Sequence, residues 1–326
     1  MRAVVITRVG GPEVLRIREV PEPAAGPEDV VVRVRAAGVN RADLLQRRGL
    51  YAAPPGVPEE IPGLEFAGEV ESCGEGVRTL QVGDRVMGIL GGGGYAEKVA
   101  LHERLCLRIP PALSWENAGA TPEAFLTGYD ALFRRGSLSA GELVLVQAAG
   151  SGVGTAAAQL ALVAGSRVIG LSRTADKRRR LRELGLQQVF DPQTPDVHDS
   201  ILAATGGEGI DLVLDLIGAP AWPLHMAVLR ERGRIVVIGL MGGSRLELDL
   251  FQLMRKQLTV SGSVLRSRSR GDKIALVQEF AERIVPLITL GRVSPIVHCS
   301  MELAEAADAH MLMERNENFG KIVLRA

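Results

Sequence analysis

One segment constrains this chain more than any other: Val144-Leu145-Val146-Gln147-Ala148-Ala149-Gly150-Ser151-Gly152-Val153-Gly154-Thr155-Ala156-Ala157. An apolar run of strand character enters a glycine-rich turn and leaves as a run of small residues suited to a helix. Glycines in such a turn let the backbone approach a pyrophosphate. The helix N-terminus adds unpaired N–H groups and partial positive charge. The spacing is not a strict G-x-G-x-x-G. Gly150 and Gly152 fit the first two places and Thr155 takes the third; a shifted frame gives Ala149, Ser151 and Gly154. An ordinary strand-to-helix turn has the same outline, and the strand–turn–helix context is what favours a dinucleotide site.

The rhythm around this segment supports that context. Strands are expected at 143–147, 167–171, 188–190, 211–216, 234–239 and 258–264, with helices at 154–164 and 176–184 between the first three. Six strands with helical crossovers imply a doubly wound parallel sheet. The first 120 or so residues read differently. Short β-branched runs at 30–34 and 84–88 are punctuated by Pro54-Pro55-Gly56, Ile61-Pro62-Gly63 and Gly91-Gly92-Gly93-Gly94. That pattern suggests an irregular β-barrel-like domain. A helix is expected from Pro122, a long amphipathic helix at 272–290, and a closing strand at 320–324. The fold class is therefore α/β. A β-rich domain at 1–123 and 264–326 is interrupted by a dinucleotide-binding domain at 124–263.

The second strand of the sheet should decide between NAD and NADP. An NAD site places Asp or Glu at its tip for the ribose 2′-hydroxyl. Here the tip reads Gly170-Leu171-Ser172-Arg173-Thr174, followed by Ala175-Asp176-Lys177-Arg178. No acid stands there, and Ser172, Arg173 and Lys177 suit a 2′-phosphate, so NADPH is the expected cofactor. Arg178, Arg179 and Arg180 cannot all face one ligand, and most of them should be solvated. Two further loops, Asp215-Leu216-Ile217-Gly218 and Ile238-Gly239-Leu240-Met241-Gly242-Gly243, fall at ends of neighbouring strands, where α/β sheets hold ligands.

Composition excludes several classes. There are 38 Lys+Arg and 38 Asp+Glu, so no basic face for nucleic acid is expected. No apolar run is long enough to span a membrane, and Met1-Arg2-Ala3-Val4-Val5-Ile6 reads as a strand rather than a leader. A cytoplasmic location follows as an expectation. Three scattered cysteines are not a disulfide framework. The five histidines are dispersed, and His102-Glu103-Arg104-Leu105-Cys106 only superficially resembles a zinc motif, so no metal is expected. Ser151 has no evident His partner for hydrolase chemistry.

With these residues in view, the chain resembles the zeta-crystallin-type quinone oxidoreductases of the medium-chain dehydrogenase/reductase superfamily, over essentially its whole length. The resemblance is carried by Ala37-Gly38-Val39-Asn40-Arg41-Ala42-Asp43, Arg47-Arg48-Gly49-Leu50-Tyr51, Pro62-Gly63-Leu64-Glu65-Phe66-Ala67-Gly68, Val82-Gly83-Asp84-Arg85-Val86 and Gly94-Tyr95-Ala96-Glu97. It is closest to the tumour-suppressor-inducible branch, through Pro54-Pro55-Gly56, residues 151–157, 239–243, Leu265-Arg266-Ser267-Arg268 and Asn318-Phe319-Gly320-Lys321. It implies a GroES-like catalytic domain, a Rossmann domain, NADPH, an active cleft between the two domains, and a homodimer paired through the last Rossmann strands.

The resemblance also implies roles. Asn40 and Thr127 would lie near the nicotinamide, and Tyr51 would face the substrate. Ser151, Gly152 and Val153 would meet the pyrophosphate, and Ser151 matches a position tied to activity in that branch. Lys177 would contact the 2′-phosphate, with Ser172 and Arg173 beside it. Ile217, Gly239, Leu240 and Met241 would meet the nicotinamide end, and Asn318 would reach the cofactor from the C-terminal segment. Zinc-dependent relatives carry Cys and His near the places held here by Asn40 and Leu64, so zinc-independent chemistry is implied. One departure stands out: relatives place a Phe-Asn-Tyr run where this chain has Phe190-Asp191-Pro192, losing a donor and adding an acid. The implied reaction is reduction of a quinone by hydride or stepwise electron transfer. A 2-alkenal or enone reductase is the nearest alternative. A non-catalytic NADPH-binding, crystallin-like or RNA-binding role is the non-enzyme alternative.

Overall fold

The computed structural model describes all of residues 1–326. The chain divides into two compact units, Met1–Leu126 with Leu265–Ala326, and Thr127–Val264.

In the first unit the strand Asp29–Val39 is the spine. Its β-branched residues Val30, Val32 and Val34 are buried, and Arg33 and Arg35 alternate outward. It pairs antiparallel with Glu65–Cys73, Lys98–His102 and Lys321–Arg325. Register shifts against Glu65–Cys73, between Val31 and Val32 and between Val34 and Ala36, bend it between those partners. The full order is Val297–Glu302, Lys321–Arg325, Asp29–Val39, Glu65–Cys73, Arg85–Ile89 and Cys106–Arg108, with Lys98–His102 attached to the spine. Phe66, Val70, Val86 and Leu324 fill the core. The last strand of the chain thus completes a sheet laid down by the first hundred residues, bringing Lys321 beside Asn40.

The helix expected at 272–290 is two helices, Arg270–Arg283 and Val285–Thr289, broken at Ile284. Pro286 is the cause. It has no N–H to donate and its ring excludes a helical carbonyl four residues back, so it stands in the first turn of the second helix, where neither is needed. Apolar spacing continued across the break and concealed it.

The second unit is a six-stranded, wholly parallel sheet ordered Gln188–Phe190, Arg167–Leu171, Leu143–Val146, Ile210–Asp215, Leu229–Val237 and Thr259–Gly262. Numbered along the chain this is 3-2-1-4-5-6, a doubly wound arrangement with its switch point between Leu143–Val146 and Ile210–Asp215. Leu145, Ile169, Val213 and Ile235 form the core of the sheet. The helix Pro122–Tyr129 continues as one wide turn, Asp130–Arg135, closed by the Gly136 N–H donating to the Ala131 carbonyl at 2.9 Å. No helix of the chain is long and apolar enough to cross a membrane.

Candidate active site

The dinucleotide turn is built by the backbone. Strand Leu143–Val146 ends, Ala148 takes a left-handed conformation (φ 45°), and helix Gly152–Val163 begins at Ser151. The Ser151 hydroxyl accepts the Gly154 N–H at 3.0 Å, capping the helix. The N–H groups of Gly152 and Val153 open the helix and have no intrahelical partner. A side chain at Gly154 would stand 2.5 Å from the Ala148 carbonyl oxygen and 2.7 Å from the Ala149 Cα. Gly154 is therefore the glycine of close helix–strand approach, and the shifted frame Ala149, Ser151, Gly154 is the one the fold uses.

Apart from Thr127, the other expected dinucleotide residues of this unit lie at or just beyond the carboxyl ends of the same parallel strands. Ser172 closes Arg167–Leu171 and is buried, while Arg173 is exposed and Lys177 half-buried. Arg178 turns back from the following helix. Its guanidinium donates to the carbonyls of Ser172 (3.0 Å) and Arg173 (2.8 Å) and to the Asp191 carboxylate (2.8 Å). The acid that departs from the relatives' pattern is thereby paired with Arg178. Arg179 pairs instead with Asp176 and Glu183 on the surface. Asp215 ends the fourth strand and accepts the N–H groups of Ile217 (2.8 Å) and Gly218 (2.9 Å). The Gly239 N–H donates to the Asp215 carbonyl, that of Met241 to Leu216 and that of Gly242 to Ile217, so the two loops are zipped together. Leu240 and Met241 stand exposed on this edge.

In the first unit, Asn40 caps helix Arg41–Arg47, its N–H donating to Asp43 at 2.8 Å. Its side-chain amide is fully engaged. Nδ2 donates to Glu65 (2.9 Å) and to the Gly38 carbonyl (3.2 Å), and Oδ1 accepts from Lys321 Nζ (2.6 Å). Lys321 also forms an ion pair of 2.5 Å with fully buried Glu65. Asp43 accepts from Tyr95 and from the Gly63 N–H; burial pushes its carboxyl up to about 6. Asn318 is buried, its amide donating to the Gly320 carbonyl at 2.7 Å.

Tyr51 is half-buried and packs over the Arg266 guanidinium, 5.0 Å from the ring centre. Arg266 donates to the carbonyls of Gly91 (2.6 Å) and Tyr51 (3.2 Å) and to the Gln46 side chain (2.6 Å). It thus ties the loop of Tyr51 to the glycine loop at 91–94. Burial, reinforced by the nearby Glu123, raises the Tyr51 phenol above its ordinary range, while Arg266 opposes this. Thr127 is half-buried on helix Pro122–Tyr129, one turn after Glu123. Sequence reading did not single out Arg266, Glu123, Lys273, Glu65 or Lys321. Their grouping depends on contacts between remote segments, and only the acid in the first turn of an apolar helix was a visible signal for Glu123.

The residues present fit a bound dinucleotide. The Gly154 close approach, the capped helix end and the zipped loops all lie along one sheet edge. They do not fit zinc. Leu64 is apolar and buried, the Asn40 amide is engaged, and no group of three or more His, Cys, Asp or Glu is arranged to hold a metal ion.

A β-rich unit joined to a doubly wound sheet with such an edge defines a two-domain nucleotide-dependent dehydrogenase or reductase. Comparison with known proteins gives the family. Residues 26–111 match the alcohol dehydrogenase GroES-like domain, and residues 152–282 match the family described as zinc-binding dehydrogenase. A quinone oxidoreductase of Lama guanicoe is 31% identical over 99% of this chain and 97% of its own. The crystal structure of an NAD-dependent alcohol dehydrogenase aligns with TM-score 0.90 at 33% identity, covering 100% of both chains. The Escherichia coli quinone oxidoreductase complexed with NADPH aligns with TM-score 0.90 at 27% identity, again over 100% of both chains. The chain belongs to the medium-chain dehydrogenase/reductase family, in its quinone oxidoreductase branch, and is an oxidoreductase.

Proposed function

We propose that this protein reduces quinones with NADPH. The observation that carries the dinucleotide half of this reading is the single edge formed by the carboxyl ends of the parallel strands. Gly152 and Val153 would present N–H groups to the pyrophosphate, with Ser151 holding the turn. Ser172, Arg173 and Lys177 would receive the 2′-phosphate. The pairing of Asp191 with Arg178 and of Asp176 with Arg179 supports this choice, because the acids near that phosphate position are each balanced by a cation. Ile217, Gly239, Leu240 and Met241 would bound the nicotinamide end, and Asn40, Thr127 and Asn318 are assigned to the cofactor by the family's pattern. When bound, the cofactor supplies a hydride.

The acceptor half rests on the first unit. Tyr51, fixed over Arg266, offers a flat aromatic face suited to a conjugated ring. The resemblance of the whole chain to quinone oxidoreductases favours a quinone. Positioning of acceptor and hydride source is the main contribution expected of the protein. A homodimer is part of the same reading. Edge strand Thr259–Gly262 has no second partner, and Leu250, Phe251 and Met254 nearby are more than half exposed.

The test is direct. Purified protein is mixed with NADPH or NADH, and consumption of the reduced nicotinamide is followed with a panel of quinones and with crotonaldehyde. Faster consumption with NADPH and a quinone is expected. Consumption only with the alkenal would make the protein an enone reductase, and binding without consumption would sink the catalytic reading.

A further inference from the structure

Helix Pro122–Tyr129 is buried along its length except at two residues, Glu123 and Thr127. They are four residues apart and so share one face of the helix. Within its own unit Glu123 lies close enough to Tyr51, the residue assigned to the acceptor, to act on its phenol, so on that assignment Glu123 would stand beside the acceptor. The backbone N–H of Glu123 donates to Glu65 at 2.8 Å, fixing the start of the helix. Its carboxyl makes no hydrogen bond or ion pair within the protein. Its oxygens are not sealed from the surroundings, so the carboxyl is free to meet a bound molecule.

Its surroundings explain what state it keeps. Glu65 and Lys321 face it from two strands, Asp43 from helix Arg41–Arg47 and Lys273 from helix Arg270–Arg283. Tyr51 and Arg266 face it from their loops. Burial is the largest influence, Glu65 and Asp43 add to it, and Lys321 and Lys273 oppose it; together they push the carboxyl up to about 8. Near neutrality Glu123 therefore holds a proton. The alternatives are poorer donors. Tyr51 is raised above its ordinary range, the Asn40 amide is engaged, and the Lys273 ammonium donates to the Arg266 carbonyl at 2.6 Å.

We propose that Glu123 is the catalytic acid that protonates the reduced acceptor. This deepens the quinone-reductase reading and rests on it. A hydride, delivered by a reduced nicotinamide dinucleotide, brings two electrons to the quinone. The hydrogen forms an O–H bond at one carbonyl oxygen, both C=O π bonds are lost as the ring becomes aromatic, and the second oxygen is left as the oxyanion of a hydroquinone monoanion. The O–H bond of Glu123 then breaks and a new O–H bond forms on that oxyanion. Neutral hydroquinone departs, and the Glu123 carboxylate takes a proton from water. The acid is competent only while protonated, so activity must fall as pH rises through about 8.

The experiment compares the wild type with Glu123→Gln, which keeps shape and removes the proton. The first readout needs no cofactor: thermal melts of the free protein at a series of pH values. A carboxyl raised in the folded state binds more protons folded than unfolded between the ordinary value of 4.5 and about 8, so its contribution to stability is lost as pH rises over that interval and is constant above it. The melting temperature of the variant should therefore gain on the wild type across that range. The second readout is the pH profile of kcat/KM with a quinone. The wild type should lose activity above about pH 8; Glu123→Gln should be lower by about 10²-fold and lack that limb. Glu123→Asp should restore part of the rate together with a limb. A pH-independent melting difference, or a Glu123→Gln profile matching the wild type, overturns the assignment. A wild type that reduces no quinone with either dinucleotide overturns the parent reading and the acid with it. The melts would still report whether the carboxyl titrates, so the two failures are told apart.

Discussion

The two units build their sites from opposite materials. In Thr127–Val264 the dinucleotide turn is mostly main chain, contiguous from Val144 to Ala157, and depends on the absence of a side chain at Gly154. In the first unit the site is side-chain chemistry gathered from afar: Asn40 meets Lys321 across 281 residues, and Arg266 meets Gln46 across 220. A backbone site should tolerate most side-chain changes and fail where a Cβ intrudes. A side-chain site should fail where a charge loses its partner.

The largest effect is expected in the side-chain site. Lys321→Met leaves Glu65 fully buried and without its cation. Removing one member of a buried pair typically costs about 3–5 kcal/mol. Denaturant unfolding should show a loss of that order. The double variant Lys321→Met with Glu65→Gln should regain most of it, because the uncompensated charge has gone. A single variant as stable as the wild type would mean the pair is not what holds the last strand to the spine.

Next comes the backbone site. Gly154→Val would force atoms against the Ala148 carbonyl and the Ala149 Cα, neither of which can swing aside. Overpacking of this kind costs about 1–3 kcal/mol, and here it would also widen the turn. Dinucleotide binding, followed by fluorescence of the reduced nicotinamide, should be lost with the helix still folded. Ser151→Ala is milder. Loss of the N-cap costs about 1 kcal/mol, and dinucleotide affinity should drop with it while kcat at saturating dinucleotide stays the same. A large fall in kcat would give the Ser151 hydroxyl a part in turnover beyond capping Gly154.

The same contrast explains what could be read from sequence. The six Rossmann strands were legible because each is a short apolar run ending in turn residues, and the dinucleotide turn because its chemistry is local. The zipped loops at 215–218 and 238–243 could be placed at neighbouring strand ends, though not their mutual hydrogen bonds. The break at Ile284 was hidden because apolar spacing carried across Pro286. Asn40 and Tyr51 were found by resemblance, but what holds them was not. Lys321 and Arg266 acquire meaning only when the last strand and the segment after Val264 return to the first unit. Glu123 is one acid in a helix's first turn, and nothing local in the sequence shows that its carboxyl is left without a partner.

A smaller effect tests cofactor choice. Arg173 is exposed and Lys177 half-buried, so each should contribute about 1 kcal/mol to phosphate binding, roughly fivefold. The pair Arg173→Ala with Lys177→Ala should weaken NADPH and leave NADH nearly unchanged, and the gap should narrow in high salt. Equal losses for both dinucleotides would place these cations away from the 2′-phosphate.

Tyr51→Phe should have the smallest effect, and that is what makes it informative. The contacts that fix Tyr51 are its ring, over Arg266, and its backbone carbonyl, bonded to the same guanidinium. Neither uses the hydroxyl. Burial and the neighbouring Glu123 make the phenol a weaker acid than a free tyrosine, so it is badly suited to give up a proton near neutrality. Steady-state turnover of Tyr51→Phe should therefore stay within about twofold of the wild type, and the limb above about pH 8 should persist, because it belongs to Glu123. Tyr51→Ala, by contrast, removes the ring over Arg266 and should raise KM for the quinone more than it lowers kcat. A Tyr51→Phe enzyme that lost both its rate and its pH limb would move the acid from the helix to the loop, and the first unit's chemistry would have to be redrawn around Tyr51 and Arg266.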